Sequence, residues 1–159
     1  MKKLTALILA LIFTFTLTAC DNAKISEKTT VYSFSGGNDY FHVSNGVIVL
    51  AGDEEIFSGG DLQLTSEVDF SDVISLRTEF YILCDGEEKT VLVSEMHDMT
   101  GGSSVSLSGD LGKISGGTVV SYKSGEELDL LNNLYFRLTV TGSDGTGQSY
   151  NVQMKVDKV

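Results

Sequence analysis

The protein has 159 residues, with 11 Lys and Arg against 22 Asp and Glu, so its formal net charge is −11 at pH 7. This length is typical of one domain with a substantial hydrophobic core. The acidic balance argues against a nucleic-acid partner, because phosphate binding needs clustered Lys and Arg. Two Cys exclude a disulfide-rich scaffold and a Cys-based structural zinc site, and the lack of Pro excludes a Pro-rich spacer.

The start of the chain has the organisation of a signal segment. Lys2 and Lys3 give a positively charged start, and residues 4–17 follow without a charge. A helix over residues 4–17 would span about 21 Å, which is shorter than a hydrocarbon core of about 30 Å. A cleaved segment therefore fits better than a permanent transmembrane helix.

The sequence Leu17-Thr18-Ala19-Cys20 closes this segment. Here the chain resembles bacterial lipoprotein precursors, whose lipobox is a stretch of small residues that ends in Cys. The resemblance covers residues 1–20 and implies cleavage before Cys20, followed by attachment of diacylglycerol and an acyl chain such as palmitate to Cys20. Two or more acyl chains would give the stable anchor that one chain cannot. The alternative is an ordinary secretory signal with an incidental Cys.

Cleavage would leave a tethered acidic domain. Removal of residues 1–19 takes away two lysines, so 9 basic residues would face 22 acidic ones and the net charge would become −13. Residues 20–29 are then the lipidated Cys and a polar tether with an r.m.s. reach of about 15–18 Å. We expect one domain, residues 30–159, at the extracytoplasmic face of the cell membrane.

Residues 30–159 show the alternation of apolar and polar side chains that is typical of half-buried strands. The longest run is 74–84, whose even positions are predicted to face the core. Runs at 134–141 and 150–157 flank the Gly-rich segment 142–147 and predict a hairpin, and Asp85-Gly86 predicts a second hairpin between the long run and 90–96. Shorter strands are predicted at 30–35, 40–44, 47–51, 61–65, 104–108 and 118–122.

This spacing predicts an all-β domain, an antiparallel β-sandwich or an open barrel. A capping box at 124–127, before Leu128, predicts one short helical turn, and 66–73 is a candidate for a second. Residues 32–41 (YSFSGGNDYF) and 44–50 (SNGVIVL) are similar to small lipoproteins of unassigned function from Gram-positive bacteria. That resemblance implies a lipoprotein and no particular activity.

The sequence contains no complete catalytic motif. Residues 109–114 lack the spacing of a P-loop and the Ser or Thr after Lys, and 145–147 lack the third glycine of a dinucleotide fingerprint. Cys84 is predicted on the buried face of the longest strand, beside acidic residues at 85–88 that disfavour a reactive thiolate. The sequence therefore does not indicate an enzyme.

Glu95, His97 and Asp98 are the candidate metal ligands. Glu95 and His97 are two residues apart, so they share one strand face, and with a further ligand they would suit a divalent ion. A solvated strand end is the preferred interpretation. The acidic clusters at 53–55, 85–88, 126–127 and Asp144 lack EF-hand spacing, so we expect solubilising charge there and no bound calcium or zinc.

Tyr81, Tyr135, Tyr40 and His42 are the candidate ligand contacts. The alternation predicts that Tyr81 and Tyr135 point away from the core, where exposed tyrosines suit a protein or carbohydrate partner. His42 is predicted to be exposed beside Tyr40. The alternatives are that a short helix covers this face, or that the two tyrosines form a cross-strand surface pair.

These observations predict a membrane-anchored extracytoplasmic lipoprotein that binds an envelope protein or a glycan without catalysis. A second hypothesis is an accessory subunit of an envelope complex, which needs an apolar patch around Tyr81, Leu83 and Tyr135. A third hypothesis, ranked lowest, is a metal-dependent hydrolase that uses the three candidate metal ligands.

Overall fold

The computed structural model describes residues 29–65, 72–97, 109–120, 130 and 132–159. These residues form eleven strands in two antiparallel sheets. The strands are β1 (Thr29–Gly37), β2 (Phe41–Ala51), β3 (Glu54–Ser58), β4 (Asp61–Leu64), β5 (Val73–Cys84), β6 (Glu87–His97), β7 (Gly109–Asp110), β8 (Lys113–Gly116), β9 (Leu134–Gly142), β10 (Gly147–Gln153) and β11 (Lys155–Lys158).

The two sheets pack face to face. Sheet A has the strand order β11-β1-β2-β3-β8, with β4 paired to β2 and β7 paired to β4, and sheet B has the order β10-β9-β5-β6. Of the two predicted architectures, the chain therefore forms the β-sandwich and not the open barrel.

Phenylalanine rings from both sheets fill the space between them. Phe34 and Phe57 of sheet A stack with ring centroids 5.2 Å apart, and Phe80 of sheet B meets them edge-on at 5.5 and 5.1 Å. Phe41 and Phe136 make a second contact between the sheets at 5.3 Å. All five rings are buried, so they hold the sheets together through both area and ring geometry.

Both predicted hairpins are confirmed. β5 and β6 are joined at Asp85 and Gly86, whose φ angles of 53° and 83° are the two positive values that a two-residue type I′ turn requires. β9 and β10 are joined by the Gly-rich turn, where the Asp144 carboxylate accepts hydrogen bonds from the N–H and hydroxyl of Thr146 at 2.8 and 2.6 Å. These bonds hold the pKa of Asp144 below its usual value.

The strand predicted at 150–157 is two strands in different sheets. β10 ends at Gln153 in sheet B, and β11 begins at Lys155 in sheet A. Met154 lies at the crossing, where its side chain is buried and its N–H donates to the Leu134 carbonyl at 2.8 Å. The alternation of apolar and polar residues continues from β10 to β11 because the apolar side chains of both strands face the same core from opposite sheets.

The strands predicted at 40–44 and 47–51 are one strand, β2. Its first half pairs with β4 and its second half with β3. Asn45 has a positive φ of 60° between the two halves, and its side-chain amide donates to Asp61 at 2.8 Å. Residues 45–46, between the two predicted strands, therefore form a bend within one continuous strand.

The prediction of a strand at 118–122 is wrong for residues 118–120, which form a bend after β8. The backbone N–H groups of Val119 and Val120 instead donate to the carboxylate of Glu55, both at 2.7 Å. Glu55 belongs to β3, a strand that the sequence reading missed.

Several predictions fall on residues that the structure does not describe. These are the signal segment and tether up to residue 28, the strand at 104–108 and most of both helical turns. Leu130, Asn132 and Asn133 are helical immediately before β9. In the described ranges, no helix is long and apolar enough to cross a membrane.

Candidate functional site

The outer face of sheet B carries a group of charged and aromatic side chains, which we call the arginine–tyrosine cluster. Because β5 buries its even-numbered side chains in the core, its odd-numbered ones stand on the opposite face. All four strands of the sheet contribute members. The cluster consists of Arg77, Glu79 and Tyr81 of β5, Glu88 and Thr90 of β6, Tyr135 and Arg137 of β9, and Asn151 of β10.

Arg137 is the centre of the cluster. Its Nε donates to Asn151 Oδ1 at 2.9 Å, and its two Nη atoms reach Glu88 Oε1 at 2.7 Å and Glu79 Oε2 at 3.4 Å. Its guanidinium carbon lies 4.5 Å from the centroid of the Tyr81 ring. The planar fork of Arg suits this combination of directed bonds and ring contact, and the bond to Glu88 raises the pKa of Arg137.

Glu79 is the buried charge of the cluster, with 7% of its surface exposed. Its carboxylate accepts a hydrogen bond from Thr90 Oγ1 at 2.6 Å and lies 3.6 Å from an Nη atom of Arg77 as well as near Arg137. A buried carboxylate is tolerated when it is paired and hydrogen-bonded. Arg77 and Arg137 are the two arginines of the chain, so both of its guanidinium groups serve this one carboxylate.

Tyr81 and Tyr135 form a stacked cross-strand pair, with centroids 5.4 Å apart and an interplanar angle of 15°. Tyr81 is only 5% exposed, so the prediction that it is exposed was wrong. It does lie on the outer face, but Tyr135 and Arg137 pack against its ring. Burial raises the pKa of Tyr81. Tyr135 is half-buried and is the more accessible of the pair.

Tyr40 and His42 do not belong to this cluster. Tyr40 precedes β2 and is 40% exposed, and its ring centroid lies 4.6 Å from that of Tyr150. His42 is exposed on β2, as predicted, and lies opposite Gln63 of β4. The four predicted ligand contacts therefore divide between two separate parts of the sandwich.

Two of the three candidate metal ligands, Glu95 and His97, lie side by side in the structure. His97 Nε2 lies 3.3 Å from Glu95 Oε1 near the end of β6, where both side chains are exposed. Asp98 lies outside the described residues. Within the residues that the structure places, no group of three or more His, Cys, Asp or Glu is arranged to hold a metal ion.

Two other candidates take structural positions. Cys84 is buried at the end of β5, as predicted. Glu55, predicted as solubilising charge in the acidic cluster at 53–55, instead points inward and is 5% exposed. The Glu55 carboxylate accepts hydrogen bonds from two backbone N–H groups of the bend after β8, and these bonds hold the bend against sheet A.

The arginines and Glu79 were not among the site residues predicted from the sequence, although the sequence contains a signal for them. The alternation that placed Tyr81 and Tyr135 on the outer face also places Arg77, Glu79 and Arg137 there. Only the pairing of β5 with β9, with Glu79 opposite Arg137 and Tyr81 opposite Tyr135, brings them together. Strand order cannot be read from one sequence, so the cluster could not be assembled from it.

The cluster satisfies its own polar groups. Among the described residues, no buried side-chain nitrogen or oxygen lacks a hydrogen-bond partner. Arg137 and Glu79, at the centre of the cluster, are therefore held in place by their partners. Comparisons of the chain with protein-family models, with curated proteins and with solved structures found no match.

Proposed function

We propose that the protein is a lipid-anchored lipoprotein at the extracytoplasmic face of the membrane, and that its β-sandwich is a non-catalytic binding module. The arginine–tyrosine cluster is the observation that carries the binding role. The anchoring role is supported by the sequence of residues 1–20, with Cys20 as the lipidated residue.

The composition and rigidity of the cluster support binding. Arg and Tyr are the residue types that dominate the energetics of protein interfaces. Hydrogen bonds from three strands hold Arg137 in one orientation, so a partner would not have to order this side chain on association. An already ordered surface loses less conformational entropy when it binds.

The geometry of the tyrosine pair favours a protein partner over a glycan. Carbohydrates are bound by stacking on an open aromatic face, and the Tyr81 ring offers none, because it is buried against Tyr135 and Arg137. The partly exposed Tyr135 beside Arg137 and Glu88 instead offers a mixed aromatic and charged surface. We therefore propose an envelope protein as the partner.

The accessory-subunit alternative has less support. It requires an apolar patch around Tyr81, Leu83 and Tyr135, but Tyr81 is buried and Leu83 lies directly opposite Glu88 on β6. The surroundings are charged, and such a surface is typical of an interface that assembles and separates. The metal-dependent hydrolase remains a hypothesis that depends on Glu95 and His97 with a third ligand.

The binding proposal is tested by cross-linking the full-length chain in intact cells and identifying what is recovered with it. We expect one envelope protein with the wild type and a loss of about thirtyfold with Tyr135→Ala, the size of a hot-spot residue. Lys155→Ala is the matched control, because it removes an exposed ion pair with Asp157 on the other sheet. Equal recovery with Tyr135→Ala, or no partner at all, would reject the proposal.

The anchoring proposal is tested separately by labelling cells with radioactive palmitate and fractionating them. We expect label in the wild-type protein and its recovery with membranes, because acyl chains on Cys20 provide the anchor. Cys20→Ala should carry no label and should leave the lipid-anchored fraction. Label on the Cys20→Ala protein would contradict lipidation at this residue.

A further inference from the structure

The bend of β2 places Asn45 directly before Gly46, and the fold accounts for both residue types. Asn45 has a φ of 60°, a left-handed conformation that Asn adopts more readily than most residues. A Cβ atom at Gly46 would overlap the ring of Phe34, so no larger residue fits beneath that ring. The two requirements together produce the one Asn-Gly pair of the sequence.

The Asn45 side chain connects two strands of sheet A. Its amide Nδ2 donates to Asp61 Oδ2 at 2.8 Å, and Asp61 is the first residue of β4. The bond lies where the half of β2 that pairs with β4 meets the half that pairs with β3. Both residues are exposed, so water reaches the amide and the carboxylate.

We propose that Asn45 is a site of spontaneous deamidation in the folded protein, with water as the co-reactant. The reaction needs the backbone nitrogen of the next residue to reach the side-chain carbonyl carbon of Asn. Gly46 has no Cβ atom to hinder this approach, and its backbone is freer than that of any other residue type. Asn45 is accessible to water and lies outside the extended conformation of the neighbouring strand residues.

Deamidation exchanges the Asn45 amide group for a carboxylate in two steps. The Gly46 nitrogen loses its proton to water and forms a bond to Cγ of Asn45. The bond between Cγ and Nδ2 breaks, and the Nδ2 group takes up a proton and leaves as ammonia. Water then adds to a carbonyl carbon of the resulting succinimide ring and breaks the bond from that carbon to the Gly46 nitrogen. Opening at Cγ yields aspartate, and opening at the backbone carbonyl carbon yields isoaspartate.

The modification weakens the connection between β2 and β4. Loss of Nδ2 removes the hydrogen-bond donor to Asp61 and leaves two carboxylates facing each other, which destabilises a strand pair. Isoaspartate also lengthens the backbone between the two halves of β2, which pair with different strands. The inference depends only on this bend and goes beyond the proposed function.

The first test incubates the folded full-length chain at mildly alkaline pH and maps its peptides by mass spectrometry. We expect aspartate and isoaspartate to accumulate at position 45 at least about tenfold faster than at Asn151, which is exposed but precedes Val152. Asn45→Gly is the matched variant, because Gly tolerates the same φ and carries no amide, and its peptide should keep its mass. Equal rates at Asn45 and Asn151, or modification of Asn45 only after unfolding in urea, would overturn the proposal.

The second test measures the structural consequence directly. Asn45→Asp gives the chain the carboxylate that deamidation forms, and we expect its urea midpoint at neutral pH to be lower than that of the wild type. The double variant Asn45→Asp with Asp61→Asn exchanges the two groups, so it should recover the wild-type midpoint. A midpoint of Asn45→Asp equal to that of the wild type, or no recovery in the double variant, would overturn the weakening of the connection between β2 and β4.

Discussion

Glu55 and Glu79 are buried acidic side chains that are satisfied by different means. Glu55 accepts two hydrogen bonds from backbone N–H groups, whereas Glu79 accepts one from a hydroxyl and faces two guanidinium groups. A buried charge without such partners is strongly destabilising. The sequence cannot distinguish these two from exposed acidic residues, since the partners of Glu55 lie 64 and 65 positions further along the chain.

Glu55→Ala tests the role of this carboxylate in holding the bend. Removing it leaves the N–H groups of Val119 and Val120 without their acceptor, so we expect the free energy of unfolding to fall by about 1–3 kcal/mol. Urea denaturation measures the loss. Glu54→Ala is the matched control, because the neighbouring side chain is exposed and its removal should change stability by less than about 0.5 kcal/mol. Equal losses in the two variants would contradict the structural role of Glu55.

Tyr81→Phe tests the burial of this phenol through the pH dependence of stability. Burial raises the pKa of Tyr81 above its usual value of 10.0, so the folded protein keeps this proton to a higher pH than the unfolded chain does. The contribution of the protonated Tyr81 to the free energy of unfolding is fully present below pH 10.0, and it is lost as the pH rises through the raised pKa of the folded state. The free energy of unfolding should therefore fall less steeply with alkaline pH in Tyr81→Phe than in the wild type. Parallel curves would show that the phenol is not shielded from water.

At the scale of strands and turns, the alternation of side chains predicts which residues are buried better than it predicts which strands pair. β5, β9 and both hairpins follow from it because their alternation is long and their turns contain Gly and Asp. The crossing at Met154 could not be predicted because the alternation of apolar and polar residues continues without a break from β10 to β11, although the two strands belong to different sheets. β3 was not predicted because its acidic start is typical of a loop. Glu55 can be buried in a strand only because two backbone N–H groups, distant in sequence, donate to its carboxylate.

Gly46→Ala tests how closely β2 packs beneath the aromatic core. A Cβ atom at Gly46 would overlap the ring of Phe34, which is itself fixed between Phe57 and Phe80. Phe34 cannot move without losing these contacts, so we expect a loss of about 1–3 kcal/mol in the free energy of unfolding, as in other overpacked cores. Gly109→Ala is the control, since nothing lies within 4 Å of a Cβ at that position. A Gly46→Ala protein as stable as the control would mean that Phe34 has room to shift.

Over the whole molecule, the distribution of charge could be predicted only in part. The excess of 22 acidic over 11 basic residues is a property of the sequence, and so is the presence of two arginines. That both arginines meet at Glu79 is a property of the fold, because it needs β5 and β9 to be neighbours. The outer face of sheet B is thus a place where guanidinium groups are concentrated on an otherwise acidic protein.

The net charge also predicts how stability responds to salt. Repulsion between acidic side chains opposes the compact state, and salt screens it as the Debye length falls from about 10 Å at 0.1 M to about 3 Å at 1 M. We therefore expect the free energy of unfolding in urea to rise with sodium chloride, by a value on the order of 1 kcal/mol. Glu54→Lys should show a smaller rise, because it removes two units of negative charge at an exposed position. A fall in stability with salt would mean that local pairs such as Arg137 with Glu88 outweigh the long-range repulsion.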